Sequence, residues 1–167
     1  MQNNNILFRS LENSRSKLPK LSKINFKECE EKIKKYYNIN DTDSLIIYIS
    51  EYFENGLLIA IIEYEIINIK EKKYVNLNIC KGLTTDNEYL VSINDNNVFK
   101  HNSSSDYYNN LCYKYTTEKD TDIILKDRRN EFINYNMSLC EQNCEFKEYK
   151  INIKTVLCEC QVKLKFN

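Results

Sequence analysis

Seven cysteines are the residues best placed to do chemistry: Cys29, Cys80, Cys112, Cys140, Cys144, Cys158 and Cys160. Four of them fall in one stretch near the C-terminus, LCEQNCEFKEYKINIKTVLCECQV, residues 139–162. Thiols at that density bridge one another, hold a metal or attack a substrate. A zinc site wants paired thiolates, usually CxxC, with tetrahedral reach. Here the pairs are CxxxC and CxC, and His101 is the only histidine. A thiol nucleophile needs a positioned base. The chain has no Gly-rich phosphate loop, no HExxH and no nucleophile elbow. The spacing therefore reads as a disulfide framework, with no catalytic residue, no metal ligand set and no cofactor. Seven is odd, so one thiol stays free, pairs with another chain, or pairs with a cysteine outside this sequence.

Persistent disulfides form outside the reducing cytosol. That points to a secreted or cell-surface (luminal) location. Three sequons agree with it, at Asn40, Asn102 and Asn136. MQNNNILFRSLENSRSKLPK carries no apolar run long enough for a signal peptide. The most apolar region, residues 45–69, is broken by Glu51, Glu54, Glu63 and Glu65 and does not read as a membrane span. The secretory reading thus expects a fragment of a longer product, tied to a membrane only through segments outside this chain. The alternatives are an intracellular zinc-binding adaptor and a thiol-dependent enzyme.

Lys and Arg number 24, and so do Asp and Glu, so no field draws the chain to nucleic acid. Arg9, Arg15, Lys17, Lys20 and Lys23 are too dispersed for a nucleic-acid arm. Two glycines, one proline and no tryptophan stand against abundant Asn, Lys, Ile and Tyr. AT-rich codons produce that bias, which fits a protist genome.

The elements that must position the cysteines read as mainly β, with an α component: an antiparallel sheet or sandwich, one N-terminal helix and a disulfide-stapled hairpin cap. Residues 1–25 read as a flexible polar lead-in, 26–138 as the β-rich core domain and 139–167 as its cysteine-rich cap. In NFKECEEKIKKYY, Asn25 is the expected N-cap and Glu28 closes a capping box. Phe26, Cys29, Ile33 and Tyr37 share one face. LIIYISEYF and LLIAIIEYEIINI read as strands around an Asn55-Gly56 hairpin turn. YVNLNIC alternates and reads as a third strand. A short strand is expected over 89–93, another over 111–118 and a buried one at Ile123-Ile124-Leu125. KDRRNEF reads as a local salt-bridge cluster, and His101 as a surface residue.

In the cap, Cys140 and Cys144 flank a bend. Cys158 and Cys160, at i and i+2 of a strand, point to one face. Two parallel staples become feasible, and residues 145–157 form a hairpin with its turn near Lys150. Cys29–Cys80 is the favoured upstream pair. Pairing among Cys112, Cys140, Cys144, Cys158 and Cys160 stays open.

SSDYYNNLCYKYTTEKDTDIILKDRRNEFINYNMSLCEQNCEF, followed by KTVLCECQVK, resembles a cysteine-containing ectodomain module of large protist surface proteins. The likeness covers residues 105–163 well and 26–97 more loosely. It implies continuation to a further cysteine and a membrane-spanning helix, an end beyond Asn167, and no catalytic residues. Lys119 stands where the pattern has Gly or Asn-Gly. Composition and resemblance together predict a non-catalytic extracellular binding or structural module. Its partner would be a protein or a carbohydrate, met through tyrosine-rich surface.

Overall fold

The computed structural model describes residues 5–10, 22–39, 45–53, 58–91, 93, 95–116 and 122–164. It is a β-rich α+β fold. Among these residues lie two four-stranded antiparallel sheets. The first has the order β1 (Asn5–Ser10), β3 (Leu45–Tyr52), β4 (Ile61–Asn68), β5 (Lys73–Tyr74). The second has the order β2 (Lys23–Asn25), β6 (Thr84–Leu90), β8 (Thr155–Gln161), β7 (Cys144–Lys150). Helix α1 spans Glu28–Tyr36, α2 Asp106–Asn109 and α3 Leu125–Asn134.

Period-2 patterning explains the first sheet. Leu45, Ile47, Ile49 and Glu51 face inward from β3, opposite Asn68, Ile66, Tyr64 and Ile62 of β4. Moving β4 by one residue would turn Glu63 and Glu65 inward, so the register is strongly specified. The inward-facing Glu51 accepts the backbone N–H of Ser22 at 2.7 Å. In the second sheet, Tyr89 of β6 and Val156, Cys158 and Cys160 of β8 are buried. Residues of both sheets and of α1 form one hydrophobic cluster. Within it the Phe26 ring meets Tyr64 edge-on at 5.0 Å.

Helix α1 presents the expected face: Phe26, Cys29 and Ile33 are buried and Tyr37 is half-buried. Its start differs. The helix opens at Glu28, and Lys27, at φ 47°, precedes it with no side-chain cap. Asn25 instead accepts the N–H of Lys27, making a turn ahead of the helix rather than a capping box.

Several other expectations are corrected. The stretch read as a lead-in supplies β1 and β2, one strand to each sheet. The strand expected over residues 74–80 is cut to Lys73–Tyr74, and Leu77–Cys80 is a 3-10 turn. Asn76 accepts the N–H of Asn78 and starts that turn. At three residues per turn, Leu77 and Cys80 come onto one side, and both are buried. Strand β6 runs over Thr84–Leu90, earlier than 89–93. Residues 111–116 are irregular, with one isolated bridge, Thr116 to Asp122. Ile124 is 60% exposed and precedes a helix rather than lying in a buried strand. The Asn55-Gly56 turn, the Asn40 sequon and Lys119 lie outside the described residues.

The backbone turns left-handed at Lys27, Asn38, Lys72, Asn136, Asn143 and Lys154, and at one described glycine, Gly82. Gly82 links the 3-10 turn to β6 at φ 82°, where any other residue would be strained.

Cys29 is bonded to Cys80, closing a sequence separation of 51 residues. The bridge ties α1 to the 3-10 turn rather than to a strand. Chain-entropy arguments value such a closure at about 4 kcal/mol. Cys29→Ala with Cys80→Ala is expected to lower unfolding free energy by about that amount in urea titration.

Candidate functional site

The cap is built on β8. Cys158 and Cys160 occupy successive inward positions of that strand. Cys158 bonds to Cys140, on the bend after α3, and Cys160 bonds to Cys144, the first residue of β7. Cys144 and Cys160 are also direct register partners across the β7–β8 pair. The hairpin turns over residues 151–154, as the spacing predicts.

Between the two bridged cysteines of the bend sits Glu141. Its side chain is only 9% exposed. Its carboxylate accepts the backbone N–H of Ile62 at 3.0 Å, the Tyr89 hydroxyl at 2.9 Å and the Lys163 ammonium. Lys163 Nζ also donates to the Ile62 carbonyl, and the Lys163 N–H donates to the Tyr64 hydroxyl at 2.8 Å. One carboxylate therefore joins β4 of the first sheet, β6 of the second and the chain leaving β8. Burial pushes the Tyr64 phenol up to about 12, and the Glu141 charge adds to the shift. Tyr89 is pushed up further by burial and then by the same charge. Both phenols stay neutral and can donate.

A cleft of about 620 Å³ opens beside this network. Ile59 and Ile61 form its apolar wall, and Ser138, Glu141, Gln142 and Asn143 its polar one. Cys140 and Cys144 line it as well. Such a cleft can hold a polar ligand or a partner's side chain through amide and hydroxyl contacts.

A second cluster holds α2 against α3. The Tyr107 hydroxyl donates to Glu131 at 2.5 Å, and Lys100 pairs with the same carboxylate at 2.9 Å. Lys100 Nζ stands 4.7 Å from the Tyr115 ring centre. Arg128 is 1% exposed, its guanidinium 5.5 Å from the Tyr107 ring centre and 5.8 Å from that of Tyr113. Its Nη2 donates to the Asn110 carbonyl at 3.1 Å, while Nε and Nη1 have no hydrogen-bond partner among the described residues. Aromatic faces thus supply much of the stabilisation of this cation. His101 is buried, not a surface residue, because a ring nitrogen is held 2.8 Å from the Met137 carbonyl.

The outer face of the second sheet is laced with ion pairs. Lys27 lies 2.6 Å from Asp86 and 3.0 Å from Glu159, and Lys147 lies 2.9 Å from Glu159. Lys150 lies 3.1 Å from Glu88. Hydrogen bonds from Lys147 and then Lys27 hold the Glu159 carboxyl down to about 2.

Comparison with known proteins finds no match to a family model, a curated protein or a solved structure. The cysteine framework is therefore the main guide to the site. Six of the seven predicted cysteines are joined, with Cys29–Cys80 as favoured. Cys112 is not joined: it is exposed, in a loop where Asn110 accepts its N–H. Of the sequon residues, Asn136 is exposed, and Asn102 is half-buried, its side chain accepting the Ser104 N–H at 2.9 Å. The KDRRNEF cluster is a helix whose Arg128 turns inward, not a surface turn.

Sequence reasoning missed Glu141 and Arg128. A carboxylate fixed between two cysteines was a usable signal for Glu141. For Arg128 the signal was its spacing of three from Leu125 and four to Phe132, both half-buried on the same helix.

Glu141→Ala leaves the Ile62 N–H and the Tyr89 hydroxyl without their acceptor. It is expected to destabilise by roughly 3 kcal/mol, discounted for the partly exposed Lys163. Urea unfolding measures the change.

Acid is expected to weaken the fold through three carboxylates. Burial raises Glu131, but hydrogen bonds from Tyr107 and Lys100 outweigh it and leave the group below its usual range. Glu88 behaves alike: burial raises it, and Thr155 and Lys150 lower it further than that. With Glu159, all three have folded pKa values below their unfolded ones. Their stabilisation is present above about pH 4.5 and lost as pH falls through their depressed folded values, which for Glu159 is about 2. The urea midpoint is expected to drop across that window, and less steeply in Glu159→Gln.

Proposed function

We propose that the chain is a non-catalytic binding or structural module of an exported or membrane-anchored protist protein, carried by its covalent framework. The observation that bears most weight is the bonding of six cysteines into three intramolecular pairs. Such pairs suggest an oxidising compartment. Sulfurs joined to each other are also not thiolate ligands, which weighs against a zinc adaptor. The remaining thiol, Cys112, is exposed, and the one histidine is engaged with the Met137 carbonyl, an arrangement unlike a nucleophile–base pair.

The partner would be a protein or a carbohydrate. Tyr36, Tyr74 and Tyr135 each expose about two-thirds or more of their surface, and they offer rigid amphipathic contact area. The amide-lined cleft beside Glu141 offers a polar alternative. The two sheets share one hydrophobic cluster, which supports a sandwich-type domain. Glycans at Asn102 and Asn136 fit the same compartment, since both sequons lie in turns. Among the described residues, no helix is long and apolar enough to cross a membrane. The resemblance implies a membrane-spanning helix in a following segment, which would serve as an anchor.

Thiol titration of native protein made through an oxidising pathway tests this reading. One reactive thiol, mapped to Cys112, is expected. Six or seven reactive thiols in a folded, zinc-loaded protein would instead establish the intracellular adaptor.

A further inference from the structure

The three bridges differ in how they meet solvent. Cys29 and Cys80 are fully buried beneath α1. Cys158 is fully buried too, and its partner Cys140, although it also lines the cleft, lies at the limit of burial. Cys144 is half-buried, opens the edge strand β7 and lines the cleft beside Glu141. Its partner Cys160 is buried, with its sulfur 3.8 Å from the Tyr89 hydroxyl.

We propose that Cys144–Cys160 is a thiol-exchange site, opened selectively by a dithiol reductant that enters through the cleft while the other two bridges persist. A reductant thiolate attacks Sγ of Cys144, the half of the bridge that faces the cleft. A mixed disulfide forms, the Cys144–Cys160 bond breaks and its electron pair leaves on Sγ of Cys160. That thiolate, 3.8 Å from the Tyr89 hydroxyl, takes a proton from solvent. The second thiolate of the reductant then attacks its own sulfur in the mixed disulfide and releases Cys144. Two electrons and two protons have passed from the dithiol, which becomes a disulfide.

The fold is arranged to survive this step. Cys140–Cys158 still fixes the bend that carries Glu141. What loosens is β7, which among the described residues pairs only with β8 and is interrupted by a register shift between Phe146 and Glu148. Release of β7 would uncover the edge of β8 for another strand. Reduction thus moves the open edge of the sheet from β7 to β8 without unfolding the core.

Native protein with Cys112 blocked by N-ethylmaleimide is treated with graded dithiothreitol. New thiols are trapped by iodoacetamide and mapped by mass spectrometry. Cys144 and Cys160 are expected to label about ten-fold faster than the other four half-cystines. Hydrogen exchange is expected to rise over residues 144–150 while α1 and β3 stay protected. Equal labelling of all six, or earlier labelling of Cys29–Cys80 or Cys140–Cys158, overturns the proposal. The disulfide reading fails differently: without bridges, the initial blocking step would label all seven cysteines before any reductant is added.

Discussion

The fold depends on holding one bend against the inner face of β8. Cys140 and Cys144 stand on either side of it, and their partners, Cys158 and Cys160, are two residues apart on a single strand face. Two bonds so placed leave the bend little freedom to swing or slide. The Glu141 carboxylate is therefore delivered to one position, where it meets donors from both sheets. A buried carboxylate is costly to desolvate, and only preset partners offset that cost. The Cys140–Cys158 bridge presets them, so the polar junction and that bridge act as one unit.

The tyrosine–arginine cluster solves a different problem. Helices α2 and α3 bring few aliphatic side chains to their contact. Phe99, Tyr107, Tyr108 and Phe132 pack ring against ring in their place. The basic groups are spread over ring faces, and Glu131 gathers a phenol and an ammonium. Such a contact depends on orientation more than on area, because ring quadrupoles and cations are directional.

Much of this was legible in the sequence because period-2 alternation and cysteine spacing are local signals. Residues 45–52 and 61–68 declare their buried faces directly, and the i, i+2 cysteines declare a shared one. The rest required tertiary information. Asn5–Ser10 looked unstructured because its pairing partner, β3, lies some forty residues away. YVNLNIC has the alternation of a strand, yet the Cys29 bridge and the Asn76 turn draw it into a 3-10 segment. Arg128 broke the apolar stripe by which helices are recognised, since its burial rests on ring faces that no linear pattern displays.

The left-handed corners at Lys27, Lys72 and Lys154 draw on the stability that the bridges supply. An L-residue with a side chain pays about 1 kcal/mol to sit there, a position that glycine fills freely. Each corner is a small cost in the folded state, and three cross-links, worth about 3 kcal/mol or more apiece by chain entropy, outweigh the three together.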